Sequence, residues 1–390
     1  MICTLWSILI GAIWWFVPAL FLPLLGVHAD VQTYAVQFCK LMVPGMWFSF
    51  MFEIQIFYLQ NQKMTIFSTL VQIPVLAVNL FINYFYMPSI GFDAAAYGLV
   101  VSKGVGCLLL FVYICCANIN VPDRHAKVFL CQSSSPFKGW GEIFALGVPG
   151  ALMLMMDWGS FEVNSAFAGQ ISDEALAAHS LLVQTVTIAY MIPLGVSEAT
   201  QIVIGQLMGR GDWRAAKVAS EVGVVTCGCL ATMVMIVLYF LRHSYFTLFI
   251  TNTLAIEYAS NTMLYTLAFE VLDGVCCGLQ GVVTGIGKQD VAWKYMLGQP
   301  LIGLPLGYYF CFGKLKMGLH GIWLGMIVAD VLVDIGLLRL LMLVDWPAEQ
   351  EIVAVRLRED ERDKEGVTTR TTSDGREEHL LGSTMLRVNS

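Results

Sequence analysis

Apolar residues run along this chain in long unbroken stretches, not with the short alternation of a half-buried strand or the single stripe of a surface helix. A bilayer core of about 30 Å is crossed by roughly 20 apolar residues at the helical rise. Ten stretches of that order stand between polar or Gly/Pro breaks, at 3–25, 36–60, 64–87, 93–116, 143–167, 175–205, 217–241, 258–285, 291–313 and 319–344. Backbone in lipid must satisfy its own hydrogen bonds, which segments of this length do as helices. The pattern therefore predicts an all-α membrane protein, a polytopic helical bundle. The first stretch has no basic segment ahead of it and many similar stretches behind it, so it is read as a span rather than a cleaved leader.

Composition sharpens this. Apolar residues make up 57% of the 390 and charged ones 13%, and 18 of the 51 charges fall within 345–390, which leaves the body nearly bare of charge. Mean hydropathy is +0.69. The net charge of −7 comes largely from the same terminal segment and argues against a nucleic-acid partner. Eleven cysteines lie mostly inside apolar runs, with no C-x-x-C spacing and no histidine cluster beside them. They read as small core residues, and no metal or other cofactor is expected. The chain is not expected to be an enzyme.

The breaks divide the chain. Residues 117–142 form the one long polar connection between stretches and read as a cytosolic linker between an N-lobe of four helices (1–116) and a C-lobe of six (143–344). Residues 345–390 read as a disordered cytosolic tail, too polar to bury a core. Lys63, Arg124, Lys127, Lys138, Arg210, Arg214, Lys217, Lys288 and Lys294 fall in the even-numbered loops, against Arg242, Lys314 and Lys316 in the others. That bias places both termini in the cytosol.

One shift of 227 positions superposes Gln62 on Gln289, Gly91 on Gly318 and Gly98 on Gly325 in comparable loop and helix contexts. Both copies leave a cytosolic loop, cross outward and return, so they form a parallel repeat and the lobes are pseudo-symmetric. In that alignment the helices at 143–205 have no counterpart ahead of the first stretch. The complete pattern has twelve spans, and the first two are expected to be missing here.

Ionisable side chains inside spans carry the chemical information, because each costs roughly 2.5–3.5 kcal/mol or more at a helix centre and must face a cavity or a partner. Eight acids qualify: Glu53, Asp157, Glu162, Glu198, Glu270, Asp273, Asp330 and Asp334. Only Lys40, Lys103 and Arg339 oppose them. Most must therefore be protonated, hydrated or matched by a mobile cation. Proton and cation competing for one carboxyl suffice for exchange. Asp157 and Glu162 stand about 140° apart around their helix and can border one cavity without stacking. Glu270 and Asp273 share a face. Asp330 and Asp334 also share a face, with Arg339 in reach, and read as a structural pair. Lys103 reads as an internal partner for an acid, and Glu198 as a solvated end residue. Trp158 and Phe161 could offer cation–π attraction to an organic cation or simply face lipid.

The segment Gly147-Val-Pro-Gly-Ala-Leu-Met-Leu-Met-Met-Asp-Trp-Gly-Ser-Phe-Glu resembles the seventh helix of eukaryotic multidrug and toxin extrusion (MATE) antiporters. Pro193-Leu-Gly through Gly205-Gln-Leu-Met-Gly-Arg-Gly-Asp is similar to that family's eighth helix, and Phe269-Glu-Val-Leu-Asp-Gly to its tenth. The resemblance covers residues 3–344 and implies a core of six plus six helices, here four plus six. It puts Asp157, Glu162 and Glu270 on the family's proton- or cation-binding carboxylates, with Asp273 and Trp158 beside them, and Gln55 on a polar position of the N-lobe. Asp157 departs from the usual Glu, and Gln184 stands where animal members often carry another acid. The implied function is proton-coupled antiport of organic cations by a monomer in the plasma membrane or a vacuolar or vesicular membrane, with protons rather than Na⁺ as the coupling ion. The missing helices motivate a second reading, a truncated non-transporting protein that partners or regulates a full-length transporter.

Overall fold

The computed structural model describes residues 2–24, 29–62, 64–120 and 140–355. The expected linker and tail therefore lie largely outside the described residues. All regular structure among those residues is helical. The chain divides into two compact units, residues 1–141 and 142–390.

In the N-terminal unit, α1 (Ile2–Leu24) packs on α2 (Ala29–Asn61), which packs on α5 (Asp93–Asn120). The third stretch is interrupted into α3 (Thr65–Leu70) and α4 (Gln72–Ile90), the latter lying on α5. Pro74 supplies no N–H to residue 70, which suits a break just ahead of it. Phe52, Leu59, Leu110 and Ile114 form the centre of this unit's core.

The C-terminal unit holds α6 (Trp140–Ile171), α7 (Asp173–Gly209), α8 (Trp213–Phe246), α9 (Thr253–Gly285), α10 (Gln289–Met296), α11 (Leu304–Phe312) and α12 (Leu319–Met342). Side-chain oxygens cap the starts of three of them. Ser172 accepts from the Ala175 N–H at 3.1 Å, Asp212 from Ala215 at 3.0 Å and Asn252 from Leu254 at 3.0 Å. Helix α9 is the axis of the unit, with α7, α8 and α12 against it. Its Gly274 and Gly278 let α8 approach closely, since a Cβ at Gly278 would stand 2.9 Å from the Val224 Cα.

Among the described residues, eight helices are long and apolar enough to cross a membrane, the interrupted 65–90 segment counted as one, and α1 contributes a shorter apolar helix. The stretch at 291–313 departs from a single span. It breaks into α10, a π-helical turn at Gln299–Gly303 and α11. Pro300 and Pro305 remove two donors there, and the turn re-seats the ladder by one residue. The shift that superposes the repeats carries Val71, where the third stretch breaks, onto Gly298 at this second break. Gly91 (φ 72°) and Gly318 (φ 58°), superposed by the same shift, both hold left-handed backbone ahead of the following helix.

The start of the expected tail is ordered. Residues 346–355 form a further helix, α13. Trp346 is buried among Ile204, Met208, Ala216 and Val282, and Glu349 pairs with Lys288 at 2.7 Å. A single buried indole outweighs the polar sequence around it.

A Gly278→Ala variant is expected to lose stability by about 1–3 kcal/mol through overpacking against α8. Gly147→Ala, with open space around the added methyl, is expected to be neutral or to gain up to about 1 kcal/mol. Thermal unfolding of the purified protein in one detergent compares the two directly.

Candidate functional site

Three helices of the C-terminal unit bring five acids together. Asp157 comes from α6, Glu270 and Asp273 from the axial α9, and Asp330 and Asp334 from α12. All are buried, Glu270 completely. Asp273 lies within electrostatic reach of the other four. Spacing explains the convergence: positions i,i+3 on α9 and i,i+4 on α12 turn each pair to one side of its helix, and α9 and α12 pack together.

The groups that act on these acids are other carboxyls and a few neutral side chains. Gln280 bonds to Asp157, Gln299 donates through Nε2 to Asp330 Oδ1, and Cys276 bonds to Asp334. Among the described residues, both Glu270 oxygens, Asp330 Oδ2 and Asp334 Oδ1 have no hydrogen-bond partner, nor does the Oε1 of Gln299, the residue that bonds to Asp330. The ion pairs Lys103–Glu53, at 3.0 Å, and Lys288–Glu349 lie elsewhere. An unmatched buried charge is costly, so these carboxyls are tolerated only in a neutral form or beside a cation.

Asp157 and Asp273 line a hollow of about 20 Å³ with Trp158, Phe161, Thr187 and Tyr190. That is room for about one water and not for an organic cation. Tyr190 stands edge-on to Trp158 at 6.0 Å between ring centres and bonds to Cys277. Ser197, on the same helix, donates to the Cys277 carbonyl at 2.6 Å.

The sequence-read residues sort as follows. Asp157, Glu270, Asp273 and Trp158 meet at this site. Glu162 does not: it is exposed on α6, because five residues turn it about 140° from Asp157. Gln184 is exposed on α7. Gln55 belongs to the N-terminal unit, where it is buried with Nε2 3.7 Å from Cys107 Sγ and Oε1 unmatched. Asp330 and Asp334, read as a structural pair, are members of the carboxyl cluster. Gln299 was missed altogether; the signal was a polar residue between Gly298 and Pro300 in an apolar run. Lys103 is the expected partner of an acid, Glu53. The repeat shift carries Lys103 onto Asp330 and Glu53 onto Gln280, so both units place polar groups at the same two positions.

Interrupted helices with polar groups at the break recur among membrane transporter folds. The family model MatE matches residues 149–309. Multidrug and toxin extrusion protein 1 of Danio rerio is 28% identical over 331 residues, 84% of this chain and 55% of the relative. The human protein of that name is 25% identical over 320 residues, 81% of this chain and 55% of the relative. The eukaryotic MATE transporter AtDTX14 shares the fold with a TM-score of 0.80 at 23% identity, over 90% of this chain and 78% of that one. The chain is similar in sequence to these transporters and shares the MATE fold, as a multi-pass integral membrane protein. It spans about half the length of the curated relatives it matches.

Glu270→Met, which keeps volume and removes two unmatched buried oxygens, is expected to raise the unfolding free energy by about 1–3 kcal/mol. Gln299→Leu, which strips Asp330 of its donor, is expected to lower it by a similar amount. Thermal melts without added cation check both signs.

Proposed function

We propose that this chain acts in proton-coupled antiport, moving organic cations and other xenobiotics out of the cytosol in exchange for protons. The observation that carries the reading is Glu270, wholly buried beside four other acids with neither carboxyl oxygen matched among the described residues. A carboxyl held in that state is stable only while neutral or while a cation sits against it. Protons and organic cations then compete for one charge, and competition across two orientations of the site is exchange. The relatives' names, which speak of multidrug and toxin extrusion, support the same direction of transport.

The roles follow from placement. Asp157, Glu270 and Asp273 take up the proton or face the cation, with Trp158 and Tyr190 as the aromatic walls. Glu162, exposed on α6, meets a cation before the buried acids do. The hollow at Asp157 holds about one water, which suits a proton-loaded site; a cation-loaded one needs the helices around it to part. The interrupted segment at Gln299 supplies a place to bend. We place both ends of the chain in the cytosol from the distribution of Lys and Arg, and the protein in the plasma membrane or a vacuolar or vesicular membrane.

The test is uptake of a fluorescent organic cation into proteoliposomes under an imposed pH gradient. Uptake is expected to follow the proton gradient, to ignore a sodium gradient, and to fall to the level of empty vesicles in an Asp157→Asn plus Glu270→Gln variant. Glu162→Gln is expected to raise KM with little change in the maximal rate. Undiminished transport in the double variant rejects the mechanism.

A further inference from the structure

The carboxyl cluster does not account for every buried polar group of the C-terminal unit. Towards the end of the unit where α6 gives way to α7 and α12 begins, His179 and Trp323 are both wholly buried. Their rings lie 5.6 Å apart between centres. His179 stands seven residues beyond Ser172, about 10 Å along α7. Asn164, also buried, stands eight residues ahead of Ser172 on α6, the preceding span, and so lies at a similar depth. Five polar atoms of these three side chains have no hydrogen-bond partner among the described residues: both ring nitrogens of His179, Trp323 Nε1 and both ends of the Asn164 amide. One imidazole nitrogen is turned towards the Phe161 carbonyl without a well-formed bond. The groups set against the imidazole, that carbonyl and the indole, carry no charge. Buried polar atoms are paired with protein or with water, and a site offering donors and acceptors together suits bridging water.

Placement gives the imidazole a use. Val183 and Thr187 follow His179 on the same face of α7, one and two turns deeper, and both line the one-water hollow at Asp157 and Asp273. Phe161 lines it too. A neutral imidazole has one N–H and one free nitrogen, so it can take a proton on one side and release another on the other. We propose that His179 is a proton-relay residue between the end of the unit beside Ser172 and the buried acids. Water held by Trp323 Nε1 and the Asn164 amide delivers a proton to the free ring nitrogen. The opposite N–H then passes its proton to water in the hollow, which protonates the Asp157 or Asp273 carboxylate. The ring is neutral before and after, and a half-turn restores its tautomer. The relay rests on the proton-coupled reading above and puts proton entry on the side away from the Lys- and Arg-rich loops.

The experiment follows the infrared C=O band of protonated carboxyl groups after a rapid acid jump, with the full chain in phosphatidylcholine nanodiscs. His179→Gln keeps a donor and an acceptor but cannot trade one proton for another; His179→Phe keeps a ring alone. Both are expected to slow the rise of the band by about tenfold or more, with the pH at which it is half-formed unchanged. Trp323→Phe, which removes the indole N–H, is expected to slow it less. A merely structural histidine would alter that midpoint or the unfolding temperature and not the rate alone. Full-speed protonation in His179→Gln, or slowing that appears only with a shifted midpoint, overturns the relay and leaves the proton-coupled reading standing. A wild-type band that does not rise on acidification overturns both. Should His179→Phe fail to fold, His179→Gln and Trp323→Phe decide the matter.

Discussion

An acid inside a membrane protein is tolerable only when something removes its charge, and the C-terminal unit gathers five acids without giving them a cationic side chain among the described residues. Everything else about the unit answers to that constraint. Helix α9 is held on three sides so that Glu270 and Asp273 cannot turn outward to water. Neutral donors, Gln280, Gln299 and Cys276, satisfy some of the oxygens and leave others bare. The scaffold carries this standing instability because α9 is so thoroughly packed, through Gly274 and Gly278, that the bundle can tolerate it.

The break at Gln299 belongs to the same arrangement. The π-helical turn sets Gln299 against Asp330, at a point where Pro300 has already removed a donor. The N-terminal unit breaks at the corresponding position, ahead of Pro74, which shows that the interruption belongs to the repeated unit rather than to one accident of sequence. The N-terminal unit uses the matching positions for the Lys103–Glu53 ion pair, a closed arrangement in which each charge meets its opposite.

Much of this was legible in the residues themselves. Spans announce themselves because lipid tolerates so few polar groups, and acids at 157, 270 and 273 stood out against apolar neighbours for the same reason. What escaped the sequence were matters of direction and of single contacts. Asp330 and Asp334 read as a pair for Arg339 because spacing reports which residues share a face, not which helix that face meets. Glu162 and Asp157 read as two borders of one cavity, whereas the structure buries Asp157 and exposes Glu162. The stretch at 291–313 read as one span because hydropathy averages over a break, and the polar segment after Asp345 hid a helix anchored by Trp346, one residue that an averaged composition does not register.

The repeat gives the Lys103 and Asp330 positions a meaning neither has alone. The two positions that the shift superposes carry side chains of opposite sign. One copy pairs its charge at a partly exposed ion pair; the other buries an acid among acids. A reversal of polarity at one repeated address thus separates a unit whose charges meet each other from one whose acids have no cationic partner among the described residues.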